Sequence, residues 1–342
     1  MKKAAIQAIE YYLPAKKLTN DELAIAFPEW PAEQIFNKTG IRTRHIAADD
    51  ETAADLATMA AKQLFEKGKC APEDIDMLLL CTQAPDFPLP TSACVIQNKL
   101  DIPTSAGALD FNLGCSGYVY GLSLAKGLIE SGSAQNVLLL TGDTYSKFMH
   151  AEDKNVRTIF GDAGTATLIQ GVESAEDLIG PFTFGTDGAG ADKLIVKVGG
   201  ARYRDEESYS QQGGVKREDG LSQNALFMDG PSIFSFTLRV VPKMLKALYE
   251  TSGLTQDDID LFVFHQANQF MLDNLRRQSK IPEEKFILDL EEIGNTVSST
   301  IPITLANAQR KALLKANQTA MLVGYGVGLS WAACLIKTNF TA

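Results

Sequence analysis

The sequence predicts an α/β fold made of two similar halves. Segments typical of strands alternate with segments typical of helices along the whole chain. Residues 73–81 (EDIDMLLLC) resemble residues 257–265 (DDIDLFVFH), so the chain matches itself at about half its length. Two copies of one α/β unit can pack their sheets and helices into one layered core. We expect residues 1–175 to form the first half and residues 176–342 the second.

Local patterns define the elements of the first half. Thr19 is suited to cap a short helix that ends before Pro28, and residues 77–81 are apolar throughout, as in a buried strand. The predicted strands are residues 4–13, 77–81, 136–143 and 165–170, and longer helices are predicted at 52–68 and 91–100. Strands that alternate with helices favour mostly parallel sheets.

Two polar segments lie outside these elements. Residues 38–45 form a basic segment that we interpret as a loop, and a solvated turn is the commoner meaning of such a cluster. Residues 199–224 are almost free of large aliphatic side chains. A segment of this length without a buried face is expected to be a lid, a binding loop or disordered.

Composition excludes several classes of function. The net charge is −10 without a long basic run, which argues against nucleic acid as a partner. No apolar run is long enough for a membrane span, and the N-terminus lacks a signal-peptide core. Five dispersed cysteines form no zinc or redox pair, which fits a reducing compartment. We expect a cytoplasmic enzyme without membrane contact.

The segment DFNLGCSGY at residues 110–118 has the pattern of a nucleophile elbow. Its Gly-Cys-Ser-Gly step places Cys115 at the start of a predicted helix. A helix N-terminus lowers the pKa of a thiol and favours the nucleophilic thiolate. A lone cysteine is more often a buried structural residue. The flanking glycines and the partners described next favour a nucleophile.

His265 and Asn295 occupy related positions in the second half. His265 ends the repeated strand, and Gly294-Asn295-Thr296 aligns with Gly114-Cys115-Ser116 at the start of another helix. Separately, a histidine at a strand end or an asparagine at a helix cap is usually structural. The internal symmetry instead predicts that Cys115, His265 and Asn295 meet near a shared centre.

Together these motifs resemble the thiolase-fold condensing enzymes, and most closely the 3-ketoacyl-acyl-carrier-protein synthase III family. The resemblance covers nearly the whole chain and includes TGIR at 39–42, FGDAG at 160–164, MDG at 228–230 and GYGVGLSW at 324–331. It implies two thiolase-like halves in a five-layered α-β-α-β-α arrangement. The first half would carry the nucleophilic cysteine, and the second the histidine and asparagine.

The resemblance also implies roles for the three residues. Cys115 would accept the acyl group, while His265 and Asn295 would hold the malonyl thioester carbonyl and stabilise the enolate formed on decarboxylation. Backbone N–H groups of Cys115 and Val327 would form an oxyanion hole. Negative charge that develops on oxygen requires fixed N–H donors, and one well-placed donor contributes about 3 kcal/mol. Coenzyme A and phosphopantetheine thioesters would be substrates, with no bound cofactor or metal.

Further substrate and partner contacts rest on the resemblance alone. The family places a Trp and an Arg on the coenzyme A adenine, but by the resemblance the corresponding positions hold Gln34 and Lys38, and Lys154 stands in place of a phosphate-binding Arg. Residues implied to contact acyl-CoA are Lys38, Arg42, Lys154, Phe234 and Asn268. Leu89 would line the acyl pocket of a partner subunit in a homodimer. Arg276 and Arg277 would meet an acidic acyl-carrier protein, although a solvated helix face is equally compatible.

Three functions remain open from the sequence. The first is a decarboxylating condensation of an acyl primer with malonyl-carrier thioester. The second is transfer of the acyl group to an alcohol or amine without decarboxylation, as in relatives from secondary metabolism. The third is an inactive partner subunit of a heterodimeric synthase, against which the retention of all three polar residues counts.

Overall fold

The computed structural model describes residues 1–340, in which strands and helices alternate through both halves. Up to residue 173 the elements are β1 (Lys2–Tyr12), β2 (Lys16–Thr19), α1 (Asn20–Ala26), α2 (Ala32–Thr39), β3 (Thr43–Ile46), α3 (Ala53–Glu66), β4 (Met77–Cys81), α4 (Ser92–Lys99), β5 (Gly107–Phe111), α5 (Gly117–Glu130), β6 (Asn136–Asp143), α6 (Lys154–Arg157) and β7 (Ala163–Glu173). After it come β8 (Ile179–Thr186), β9 (Leu194–Ile195), α7 (Glu206–Gln211), β10 (Phe227–Met228), α8 (Gly230–Ser252), β11 (Leu261–Phe264), α9 (Gln269–Gln278), α10 (Thr300–Arg310), β12 (Thr319–Gly326) and β13 (Ser330–Lys337).

Two large sheets have the same strand order. The first runs β1-β7-β6-β4-β5, and the second runs β8-β13-β12-β11. An isolated parallel bridge between Phe262 and Phe286 occupies the place of a fifth strand in the second sheet. All strands of the first sheet precede residue 174 and all strands of the second follow residue 178, so the expected division at 175/176 falls between the sheets.

The expectation of mostly parallel sheets is wrong. In the first sheet β4 is parallel to β5 and β6, but β7 is antiparallel to both of its neighbours, β6 and β1. The second sheet has one parallel pair, β11 with β12, and two antiparallel pairs. In each half two consecutive strands of the sheet, β6 and β7 in the first and β12 and β13 in the second, are joined without a helix that crosses over the sheet. Such a connection permits antiparallel pairing.

The helices and sheets form five layers, as the resemblance implies. Helices α5 and α10 lie between the two sheets, where Tyr118, Leu122 and Ile301 pack with side chains of both. Helices α3 and α4 cover the outer face of the first sheet, while α8 packs on the second sheet and α9 on α8. Within residues 1–340 no helix combines the length and the apolar character needed to cross a membrane.

The basic segment is not a solvated loop. Its first residues end α2, and Thr43–Ile46 forms β3, which pairs with β2. Arg44 is fully buried, and its guanidinium donates to the Thr158 carbonyl and to the Asn20 side chain. Burial without a carboxylate partner lowers the pKa of Arg44 to about 9. The sequence pattern missed this strand because its charges suggested exposure.

The polar segment 199–224 is folded against the rest of the protein. It contains α7, whose first turn is capped by Asp205. The Arg217 side chain is 7% exposed, forms ion pairs with Asp153 and Asp219, and donates to the Leu226 carbonyl. The disorder alternative is therefore wrong for this structure. Arg217 fixes the segment to the N-terminus of α6.

Candidate active site

Cys115 lies at the turn between β5 and α5, beside strand β12 of the other half. Two glycines of β12 permit this contact, since a Cβ atom on Gly324 would lie 2.7 Å from the Cys115 carbonyl oxygen, and one on Gly326 would lie 2.8 Å from the Cys115 Sγ. Larger residues at these positions would push the two halves apart. The glycine-rich motif therefore determines where the thiol sits.

The thiol is not activated in the way that the helix start suggests. Burial, together with the nearby Asp143 carboxyl, raises the pKa of Cys115 to about 12, although backbone hydrogen bonds with Val327 and Cys115 itself lower it. The expected lowering of the pKa is therefore wrong. The sulfur is almost fully buried, and the Gly117 N–H donates to the Gly114 carbonyl instead of pointing to the thiol.

Asp143 is a buried acidic residue beside the nucleophile that the sequence interpretation did not use. Its carboxylate accepts hydrogen bonds from the Gln83 backbone N–H at 2.8 Å and from both the hydroxyl and the N–H of Ser298. Burial raises the pKa of Asp143 to about 7. Its position at the end of a predicted strand was visible in the sequence. Its burial was not.

Val327 lies where its backbone can serve an oxyanion hole. A backbone hydrogen bond links Val327 to the Cys115 sulfur. The turn that carries Val327 is held because the Ser330 hydroxyl donates to the Val327 carbonyl at 2.8 Å and lies 2.7 Å from the Ser116 hydroxyl. The elbow and the glycine-rich turn are thus fixed to each other.

The orientation of Asn295 follows from its backbone neighbours. The Val297 N–H donates to Asn295 Oδ1 at 2.9 Å. The Asn295 amide nitrogen then points to His265, with 3.4 Å between Nδ2 and the His265 Nε2. Val297 has a φ of 56°, which is unusual for a β-branched residue and indicates local strain. We attribute this strain to the turn that directs its N–H to Asn295.

His265 is buried and stays neutral. Burial lowers its pKa to about 3, against the opposing effect of a backbone hydrogen bond with Val297. Its Nδ1 lies 2.7 Å from the Thr300 hydroxyl, and its backbone carbonyl accepts a hydrogen bond from Tyr325. A neutral imidazole has one N–H to donate, so the ring can stabilise an oxyanion without carrying a charge of its own.

One cavity of 720 Å³ connects the three residues to the surface. Cys115, His265 and Asn295 lie among its lining residues. The rest of its wall is mainly apolar and includes Ile159, Phe160, Leu194, Phe227, Met228, Ile233, Phe270, Met271 and Tyr325.

No residue of the segment 199–224 lines this cavity, so the lid alternative has no support from the cavity wall. In residues 1–340 no three His, Cys, Asp or Glu side chains form a group suited to a metal ion.

Several of the implied substrate residues lie at this cavity. Lys38, Phe234 and Asn268 line it, although the Asn268 Oδ1 also caps α9 by accepting from the Met271 N–H. Trp30 lines it too, with the Lys38 ammonium 4.1 Å from its ring centroid. The resemblance pointed to the exposed Gln34 for the aromatic role and missed Trp30. Trp30 is one of only two tryptophans, which was the available signal.

Other implied residues lie elsewhere. The structure does not bring Arg42 to the cavity, because its guanidinium pairs with Glu291 at 2.6 Å and covers the Phe36 ring. Lys154 pairs with Glu29, yet its ammonium lies 5.3 Å from the Trp30 ring centroid, near the cavity mouth.

The remaining implied contacts are at the surface. Arg276 pairs with Glu283, while Arg277 is exposed on α9. Leu89 is 82% exposed in the proline-rich loop, beside the half-exposed Phe87. A large aliphatic side chain this exposed is available to a partner.

The duplicated five-layered fold and the Cys-His-Asn set at its centre define a thiolase-fold condensing enzyme. Family models described as 3-oxoacyl-[acyl-carrier-protein] synthase III and its C-terminal region match residues 109–188 and 249–338. The beta-ketoacyl-[acyl-carrier-protein] synthase III of Caldanaerobacter subterraneus subsp. tengcongensis is 34% identical over 98% of this chain and 97% of its own. The chain belongs to the beta-ketoacyl-[acyl-carrier-protein] synthase III family.

Solved structures agree with this assignment. A crystal structure of a 3-oxoacyl-(acyl-carrier-protein) synthase III is 51% identical, with a TM-score of 0.95 over 98% of this chain and 99% of that chain. A 3-oxoacyl-(acyl-carrier protein) synthase from Burkholderia xenovorans is 35% identical, with a TM-score of 0.90 over 98% of this chain and 95% of that chain. The predicted family and fold class are both confirmed.

Proposed function

We propose that this protein joins an acyl primer to malonyl-acyl-carrier protein by decarboxylative condensation and releases 3-oxoacyl-carrier protein. The observation that carries this proposal is the pair of side-chain nitrogens, Asn295 Nδ2 and His265 Nε2, which lie 3.4 Å apart on the cavity that holds Cys115. Two N–H donors at this separation can share one carbonyl oxygen. The names of the relatives favour this reaction over transfer without decarboxylation.

The first half-reaction transfers the acyl group to Cys115. The sulfur attacks the thioester carbonyl of the primer, the new carbon–sulfur bond forms, and the leaving thiol departs with the proton that Cys115 gives up. Backbone N–H groups of Cys115 and Val327 stabilise the oxyanion of the tetrahedral intermediate. Because burial raises the pKa of Cys115 to about 12, the thiol stays protonated until a substrate enters.

The second half-reaction forms the carbon–carbon bond. The malonyl carboxylate leaves as CO₂, and its bonding electrons form an enolate whose oxygen accepts from Asn295 and His265. The enolate carbon attacks the acyl-Cys115 carbonyl, the carbon–sulfur bond breaks, and the thiolate takes up one proton. Fixed N–H donors supply the stabilisation, so we propose that no metal or prosthetic group takes part.

A direct assay tests this proposal. We expect the protein to release CO₂ and form 3-oxoacyl-carrier protein when it receives malonyl-carrier protein and an acyl-CoA primer. Acyl transfer to an alcohol or amine without CO₂ release would support the non-decarboxylating alternative. No acylation of Cys115 by any member of an acyl-thioester panel would support an inactive partner subunit.

We also propose coenzyme A as the carrier of the primer. Trp30 at the cavity mouth supports this, since an aromatic ring flanked by the ammonium groups of Lys38 and Lys154 suits an adenine ring and phosphates. The cavity of 720 Å³ leaves room for the pantetheine arm of coenzyme A to reach Cys115.

The Trp30→Ala variant is expected to raise the KM for acyl-CoA about tenfold, because base–aromatic stacking contributes roughly 1–3 kcal/mol. Trp30→Phe, which keeps an aromatic face, should change it much less. The control substrate is an acyl-pantetheine thioester, which has no nucleotide. Its KM should be the same for the wild type, Trp30→Ala and Trp30→Phe. If the KM rises equally for acyl-CoA and for acyl-pantetheine, Trp30 acts on the shape of the cavity and not on the nucleotide.

The protein partners are proposals as well. We propose that Arg277 helps to bind the acidic carrier protein, and that two copies of this chain form a homodimer in which Leu89 reaches the acyl pocket of the partner. The exposure of Leu89 and Phe87 supports the homodimer, and light scattering in solution tests it through the molar mass.

We further propose a cytoplasmic location, because the five dispersed cysteines are free and suit a reducing compartment.

A further inference from the structure

Thr300, in the first turn of α10, contacts the edge of the His265 ring at Nδ1. Its hydroxyl oxygen is 2.7 Å from His265 Nδ1 and 3.2 Å from the Val297 carbonyl oxygen. Thr300 is 3% exposed, so no bulk water competes for these contacts. A hydroxyl has a single hydrogen to donate, and the two neighbours are alternative acceptors for it.

The direction of this hydrogen bond determines the tautomer of His265. If Thr300 donates to Nδ1, the ring proton is on Nε2, which faces the cavity. If Thr300 donates to Val297 instead, it must accept from Nδ1–H, and Nε2 is left without a proton. Only the first arrangement gives an Nε2–H donor to a substrate oxygen.

The second polar neighbour of the His265 ring is Asn295. Asn295 Oδ1 is occupied by the Val297 N–H, so Nδ2 is the atom that faces His265. An unprotonated Nε2 would accept from Nδ2 at an ordinary distance of about 3 Å. The separation of 3.4 Å is at the long end of hydrogen-bond distances, and it fits two donors that lie side by side and point to a common acceptor.

Thr300 also differs from its neighbour on the same helix. The Thr304 hydroxyl donates to the Thr300 carbonyl at 2.8 Å, the usual bond of a threonine to the preceding turn. Thr300 has the equivalent option in Val297, but the imidazole nitrogen lies closer by half an ångström. The geometry therefore favours donation from Thr300 to the ring.

We infer that Thr300 is a positioning residue, whose hydroxyl holds His265 in the Nε2–H tautomer that the condensation step requires. The inference rests on the proposed function for its catalytic consequence, but the tautomer itself can be measured independently. Without the hydroxyl, the Val297 backbone, which already has a hydrogen bond with the ring, remains as the polar partner of His265 on this side. The ring proton then moves to Nδ1, and the cavity loses one of its two side-chain donors.

Nuclear magnetic resonance tests the tautomer directly. The chain has three histidines, so the ring nitrogens of ¹⁵N-histidine-labelled protein give few signals, and a His265→Asn variant identifies those of His265. We expect the wild type to show a protonated Nε2 and a bare Nδ1. Thr300→Val, which keeps the shape, should shift the population to Nδ1–H, and Thr300→Ser should restore the wild-type pattern. A wild-type protein in the Nδ1–H form would overturn the inference.

Kinetics provide the second measurement. Thr300→Val is expected to slow malonyl decarboxylation by about 10²-fold, the usual loss when one fixed N–H donor is removed, while acylation of Cys115 stays within about twofold. Thr304→Val is the matched control, since it removes a buried hydroxyl from the same helix without touching His265. Thr300→Ser should recover most of the activity.

The outcomes separate this inference from the proposed function. An equal loss in Thr304→Val and Thr300→Val, or unchanged decarboxylation in Thr300→Val, would show that the hydroxyl has only a structural role. If the wild type releases no CO₂ with any primer, the condensation proposal fails. The resonance experiment then still decides whether Thr300 sets the tautomer.

Discussion

The Asn295→Ala variant is expected to lose malonyl decarboxylation by about 10²-fold or more, because it removes an N–H donor that matters as charge develops on the enolate oxygen. Acylation of Cys115 should be affected far less, since that step uses the backbone donors at Cys115 and Val327. The measurement is paired: CO₂ released from malonyl-carrier protein, and acyl label on the protein.

The isosteric variant Asn295→Asp separates loss of the donor from loss of volume. An Asp side chain can still accept from the Val297 N–H, but it presents a carboxylate to the substrate oxygen where the wild type presents an N–H. We expect decarboxylation to fall at least as far as in Asn295→Ala. If either variant loses acylation while it keeps full decarboxylation, the role assigned to Asn295 is wrong.

The sequence predicted the fold class because the alternation of strands with helices is a local pattern and the internal repeat compares two local patterns. The apolar runs that became β4 and β6 have the predicted bounds, and the repeated strand placed His265 at the end of β11. Sheet direction was not predictable in this way. It depends on how β7 and β13 return beside their neighbours, which no local pattern records.

The site was predictable in its residue types but not in its environment. Cys115, His265 and Asn295 occur in short motifs, and the structure brings them to one cavity. The pKa of Cys115 depends on burial and on Asp143, which come from other strands, so the helix-start argument gave the wrong direction. Trp30 was missed because its place at the cavity is set by packing of α2 and its neighbours, not by spacing.

A Cys115→Ala variant is expected to abolish acyl-enzyme formation yet still release CO₂ from malonyl-carrier protein. Removal of the sulfur leaves no thiol in the cavity, because Cys115 is the one cysteine among its lining residues in the described part of the chain. The enolate donors Asn295 and His265 do not need the thiol. Peptide mapping after acyl-CoA treatment and a CO₂ assay on the same preparation measure the two effects.

The other cysteines supply the control for this last prediction. Cys94 is exposed on α4 and away from the cavity, so Cys94→Ala should keep both acylation and CO₂ release at wild-type levels. Cys81 is buried, and its thiol donates to the Leu113 carbonyl at 3.0 Å, so it should remain unlabelled. Acyl label on Cys81 or Cys94 in the wild type would refute the assignment of Cys115 as the nucleophile. Loss of CO₂ release in Cys115→Ala would show that the thiol, and not only the Asn295–His265 pair, is needed for decarboxylation.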